Sequence, residues 1–98
     1  MRLAEMVKKM KELYDEYVSM KEAIKQHIED FTGLRIGGLT PTVFDDELED
    51  VGLDGEEVVL SGWVEGDGAV YITADGKVYV VFYRAEKRCV LGCHNTGA

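Results

Sequence analysis

Apolar positions change their period twice along these 98 residues. From Leu3 to Phe31 they recur every three or four positions, as Leu3, Met6, Met10, Leu13, Tyr17, Met20, Ile24, His27 and Phe31. That spacing makes one stripe on an α-helix, with His27 its sole polar member. Val7, Tyr14 and Ile28 widen the stripe, and no Gly or Pro interrupts it. Lys, Glu and Met, all strong helix formers, fill much of the rest. The pattern predicts helix across residues 1–31.

Two forms of that helix fit. A continuous helix would be ~43 Å long at 1.5 Å per residue. It would overhang a domain of this size, whose radius of gyration is about 13 Å, and would call for a partner, most simply a second copy. Alternatively, Ser19-Met20-Lys21-Glu22 fits a capping box and opens a second helix. Nothing before Ser19 resembles a C-cap, which favours the long or gently bent form.

Thr32 to Thr42 holds Gly33, Gly37, Gly38 and Pro41, a break rich in turn residues. A short acidic helix is predicted at 43–51. Thr42 would cap it, Asp45, Asp46 and Glu47 would sit in its first turn, and Phe44, Leu48 and Val51 would anchor it. Gly52 stops it.

Beyond, the period falls to two. Val58–Val64, Ala69–Ala74 and Lys77–Tyr83 read as strands, with a fourth at Cys89–Leu91. A two-residue loop at Asp75-Gly76 would pair Ile72 with Tyr79 and Tyr71 with Val80. A four-residue loop at 65–68 would pair Val64 with Ala69 and Gly62 with Tyr71. In that register one face carries Val58, Leu60, Val64, Tyr71, Val78, Val80 and Phe82, and Cys89 and Leu91 would join it if Ala85-Glu86 is a two-residue turn; because that turn sets Arg84 opposite Lys87, a bulge fits equally. The other carries Val59, Trp63, Val70, Ile72, Tyr79, Val81 and Tyr83. The first, mostly aliphatic, suits packing against the helix. The second is rich in aromatics with polar tips, and either the short acidic helix or a partner covers it.

The predicted fold is thus α+β: one domain, a long N-terminal helix on a three- or four-stranded antiparallel meander at 57–92, a short acidic helix between, and a flexible tail at 93–98.

Charge sharpens this picture. The net charge is −8, but residues 1–35 are neutral, residues 36–76 carry −11 with no Lys or Arg, and residues 77–98 carry +3. Such a block disfavours direct contact with nucleic acid, whose phosphates repel it. It favours a basic protein partner. The alternative is that the acids only keep the protein soluble. No apolar run reaches the ~20 residues of a membrane span, and no signal-peptide core is evident, so a cytoplasmic protein with reduced cysteines is expected.

Little catalytic chemistry can be assembled. Cys89, Cys93, His94 and His27 form at most one loose zinc half-site. Asp50 to Ser61 lacks two ligands of a calcium loop, including the bidentate Glu. Gly33 to Gly38 is not followed by the Gly-Lys-Ser/Thr of a phosphate loop. No cofactor or metal is expected, and a binding protein is expected in preference to an enzyme.

Ile28-Glu29-Asp30-Phe31-Thr32-Gly33-Leu34-Arg35-Ile36, then Gly62-Trp63-Val64-Glu65 and Ala69 to Tyr79 around the Asp75-Gly76 turn, then Leu91-Gly92, together resemble the SUKH superfamily of bacterial immunity proteins. Thr32 stands where that pattern has its first glycine. The resemblance implies an α+β fold and neutralisation of a toxin by an acidic surface. The expected partner-binding residues are Asp45, Asp46, Glu47, Glu49, Asp50, Asp54, Glu56 and Glu57 for steering, with Trp63, Tyr79 and Tyr83 as anchors. A phage-encoded inhibitor of a nucleic-acid-processing enzyme, such as an anti-CRISPR, and a structural dimerisation module fit the same features. A homodimer through the helix stripe or the aromatic sheet face is also expected.

Overall fold

The computed structural model describes residues 2–41, 45–66, 68–82 and 87–93, with Asp45 described by its backbone only. Helix α1 spans Leu3–Thr32 and runs through Ser19 without a break. The uninterrupted run of helix formers prevails over the capping box. Exposed i,i+4 pairs support the helix, Lys11 with Asp15 at 3.3 Å and Gln26 with Asp30 at 2.8 Å. Its end is firmly made. Gly33 adopts φ 77° and donates its N–H to the Glu29 carbonyl at 2.8 Å, and the Thr32 hydroxyl donates to the Ile28 carbonyl at 2.6 Å. The Glu29 carboxylate then accepts the Ile36 N–H at 2.9 Å, which ties the helix to the first strand.

That strand, β1 (Ile36–Thr40), was not expected from the sequence. It is followed by α2 (Asp45–Asp50), β2 (Val58–Val64), β3 (Gly68–Thr73), β4 (Val78–Phe82) and β5 (Arg88–Leu91). The sheet has five strands in the order β1-β2-β3-β4-β5, antiparallel throughout. The architecture is the expected α+β arrangement with one strand more. Glycines hide β1 in the sequence, because only Ile36 and Leu39 point into the core. A register shift between Gly37 and Thr40, with Gly38 at φ 64°, kinks the strand.

The pairing register differs from expectation by one residue. Thr73 closes the β3–β4 hairpin on Lys77, not on Val78: its N–H donates to the Lys77 carbonyl at 2.9 Å, and its hydroxyl accepts the Lys77 N–H at 2.9 Å. Ala74, Asp75 and Gly76 form a three-residue loop, with Gly76 at φ 89° in the left-handed position such loops require. Ile72 therefore faces Val78, and Tyr71 faces Tyr79. The β2–β3 pairing slips equally, so that Val64 faces Gly68 and Gly62 faces Val70.

A slip of one residue turns a strand over. Val70 and Ile72 move to the helix side, where they join Leu60, Val64, Val78 and Val80 beneath Ile28. Tyr71 moves to the opposite side. Val58 also leaves the helix side, through a register shift between Val58 and Leu60, and Cys89 lies opposite Tyr79 on the second face. Leu91 packs on the helix-side core as expected. Cys89 and Cys93 are joined in a disulfide, against the expectation of reduced thiols. Thr42, Phe44, Tyr83, His94 and the predicted tail beyond Cys93 lie outside the described residues.

Candidate functional site: the acidic face and Trp63

The second sheet face is covered by the chain's own acidic segment. Leu48 and Leu53 are buried there against Tyr71 and Tyr79, with Val51, Val58 and Val81 packed around them. Gly52, at φ 74°, ends α2, and the Leu53 N–H returns to the Leu48 carbonyl at 2.8 Å. This places Leu53 under the helix with no exposed surface.

Two carboxylates of the acidic block hold this layer down. The Tyr71 hydroxyl donates to Glu47 Oε1 at 2.7 Å, and the Tyr79 hydroxyl donates to Glu56 Oε1 at 2.9 Å. Burial, then the Glu47 carboxylate, pushes the Tyr71 hydroxyl far above its ordinary range. Tyr79 is raised by the same causes, with Glu56 as its acceptor. Lys77 reaches Glu56 at 3.4 Å and Asp75 at 3.5 Å, and the Glu56 bond is the main reason its ammonium is raised. Asp75 is lowered, chiefly by the Thr73 hydroxyl.

These contacts divide the expected binding residues. Tyr79 is 9% exposed and lies beneath the acidic segment, so it does not present an anchor. Glu47 and Glu56 are engaged by tyrosines. Asp46, Glu49, Asp50, Asp54 and Glu57 are exposed, and none of them makes an ion pair among the described residues. The Asp45 side chain and Tyr83 are not described. Lys87 also reaches this face, donating to the Gly52 carbonyl.

Among the described residues, Trp63 is the large aromatic this layer leaves uncovered. It is 56% exposed and lies on the same face as Tyr71, opposite Ala69 on β3 and Gly37 on β1. Its six-membered ring lies against Gly37, where an added Cβ would collide with it. Its five-membered ring lies against Gly38, where an added Cβ would come within 2.9 Å. The two glycines thus form the seat of the indole. The sequence carries a signal for this seat, a Gly-Gly pair between two inward apolar residues, but the same pair fits the break rich in turn residues expected at Thr32 to Thr42.

One further concave region lies beside α1 on the helix side of the sheet, a groove of about 570 Å³. Ile24, Val59, Leu60 and Ile72 are among its walls, and His27 and Thr73 are its only polar side chains among the described residues. Such a wall offers no convergent acid, base or nucleophile. No group of three or more His, Cys, Asp or Glu side chains suited to a metal occurs among the described residues. No helix among them is long and apolar enough to cross a membrane. Comparison with protein-family models, with curated proteins and with solved structures found no match to this chain.

Proposed function

We propose that the chain is a small acidic binding protein that neutralises a basic protein partner, with α2 and Trp63 forming the contact surface. One observation carries this reading. A half-exposed tryptophan, seated on two glycines, shares a sheet face with five exposed carboxylates that make no ion pair among the described residues. Exposed aromatics of this kind serve as anchors at interfaces, and unpaired like charges steer an oppositely charged partner toward them. Neutralisation of a toxin is the form implied by the resemblance noted above. Inhibition of a nucleic-acid-processing enzyme, whose substrate groove is basic, would use the same face.

The test is a matched pair of variants in a capture experiment from host extract. Reversing Asp46, Glu49, Asp50 and Asp54 to Lys should abolish capture of the partner that the wild type retains. Trp63→Ala should weaken it by faster dissociation, with association little changed. A partner held equally by wild type and by the charge-reversed variant would sink this reading.

A further inference from the structure

The N-terminal half of α1 has no cover from the other described residues of its chain. Every residue from 2 to 16 is exposed, and Ile28 is the one buried residue of the helix. Leu3, Met6, Val7, Met10, Leu13, Tyr14 and Met20 are 50 to 75% exposed along one stripe. The molecule measures 51 × 30 × 29 Å, in keeping with a helix that projects from the globule. At roughly 100 Å² per side chain, seven such residues offer on the order of 1,400 Å² for a pair of copies, above the about 1,000 Å² that a specific interface needs.

The stripe is self-complementary in one orientation. We infer that two copies of the chain associate through residues 3–20 of α1, lying antiparallel about a two-fold axis. Leu3 then faces the partner's Met20, Met6 the partner's Tyr17 and Met10 the partner's Leu13. The numbers in each facing pair add to 23, so every seam position on one copy meets a seam position on the other.

The flanks agree with this register. Residues 7–11 carry three Lys and no acid, and residues 12–16 carry three acids and no base. Antiparallel pairing sets each of these segments against the other. Lys9 and Glu16 border the stripe on the same edge, each just before a seam residue, and neither has an ion pair within its own chain among the described residues. Lys9 comes opposite the partner's Glu16, twice by symmetry. On the other edge Val7 meets the partner's Tyr14, again twice, which extends the apolar seam.

A parallel pair would set the basic segments together and bring the two acidic faces to one end. The antiparallel pair separates those faces to opposite ends. The overlap of 18 residues, ~27 Å long, stops at Met20, one turn before Ile24 packs on the core. The seam therefore uses the projecting part of α1 and leaves the globule intact. It is independent of the acidic face.

Sedimentation of the full chain should show the mass of two 11.0 kDa subunits, reverting to one in Met10→Lys/Leu13→Lys with the circular dichroism of the fold retained. Lys9→Glu and Glu16→Lys should each weaken the dimer several-fold, and the double exchange should restore it. Leu3→Cys mixed with Met20→Cys should crosslink under oxidation, and neither should crosslink alone. A monomer at all concentrations, a dimer that survives the lysine pair, or self-crosslinking of Leu3→Cys would overturn the inference.

Discussion

Tyr71 on β3 and Glu47 on α2 are joined by a hydrogen bond of 2.7 Å across 24 residues of sequence. Together with the bond from Tyr79 to Glu56, it fastens the acidic segment to the sheet. Tyr71 is 2% exposed, so its hydroxyl has this bond in place of water. Tyr71→Phe should cost about 1.5–3 kcal/mol, the range for a hydrogen bond to a charged group. Hydrogen exchange should show the loss concentrated in α2, with the helix-side core unaffected.

The same pair predicts how stability responds to alkali. The folded state raises the Tyr71 hydroxyl above its ordinary value of 10.0, and raises Tyr79 as well. A group raised in the folded state favours folding fully below its unfolded value. That contribution is lost as pH rises, because above 10.0 the unfolded chain releases a proton that the folded chain must keep. Denaturant midpoints should therefore fall as pH rises beyond 10. Tyr71→Phe should flatten the fall, and an unchanged slope would show that this hydroxyl does not govern it.

How legible all this was depended on one residue of register. The long helix, the Asp-Gly hairpin and the short acidic helix followed from periodicity and turn chemistry, because α1 has no breaker and the strands alternate strongly. The face assignment did not follow, since Asp75-Gly76 serves equally as a two-residue turn or as the end of a three-residue loop. Thr73 decides between them by bonding its hydroxyl to the Lys77 N–H, a tertiary detail with no periodic signature. Tyr71 changed sides with that decision, and with it Glu47 passed from free carboxylate to tyrosine acceptor. β1 was hidden because the glycines that seat Trp63 are the residues that normally mark a loop.

Ile28 should be the anchor of α1, since it is 2% exposed and packs with Ile36, Val64, Val70 and Val80. Ile28→Ala should cost about 2–5 kcal/mol, the range for truncating a buried aliphatic side chain. Leu13→Ala, at a position 53% exposed, should change the stability of the dilute monomer by no more than about 0.5 kcal/mol. Chemical denaturation of the two variants at low concentration measures the contrast. Equal losses would mean that the projecting half of α1 contributes to the folded monomer as much as the packed half.

The disulfide between Cys89 and Cys93 closes a loop of only four residues of separation. Restriction of so short a loop stabilises by about 2 kcal/mol at most in the chain-entropy model. Reduction should lower the thermal midpoint by roughly 4–8 °C for each kcal/mol lost in a domain of this size, with the fold retained. Calorimetry with and without reductant measures it. Complete unfolding on reduction would assign the bond a far larger role, that of holding β5 in the sheet.

Gly37 and Trp63 should be energetically coupled. An alanine at Gly37 places its Cβ in the indole ring, and the backbone of β1 is fixed there by its pairing with β2. The ring must leave its seat, and overpacking of this kind costs about 1–3 kcal/mol. Gly37→Ala should therefore destabilise the protein and shift the tryptophan emission, since Trp63 is the sole tryptophan. Trp63→Ala alone should cost less, because more than half of the side chain is already in water. Once the ring is gone, the added methyl group meets nothing from it, and Gly37→Ala should become nearly neutral in the Trp63→Ala background. The cycle should thus yield a coupling of about 0.5–3 kcal/mol, the range for residues in direct contact. Additive losses would mean that Gly37 is required for the bend of β1 and not for the seat of the indole. Gly38, at φ 64°, separates the two causes: alanine there is strained by its backbone whatever the ring does, so its cost should persist when Trp63 is removed.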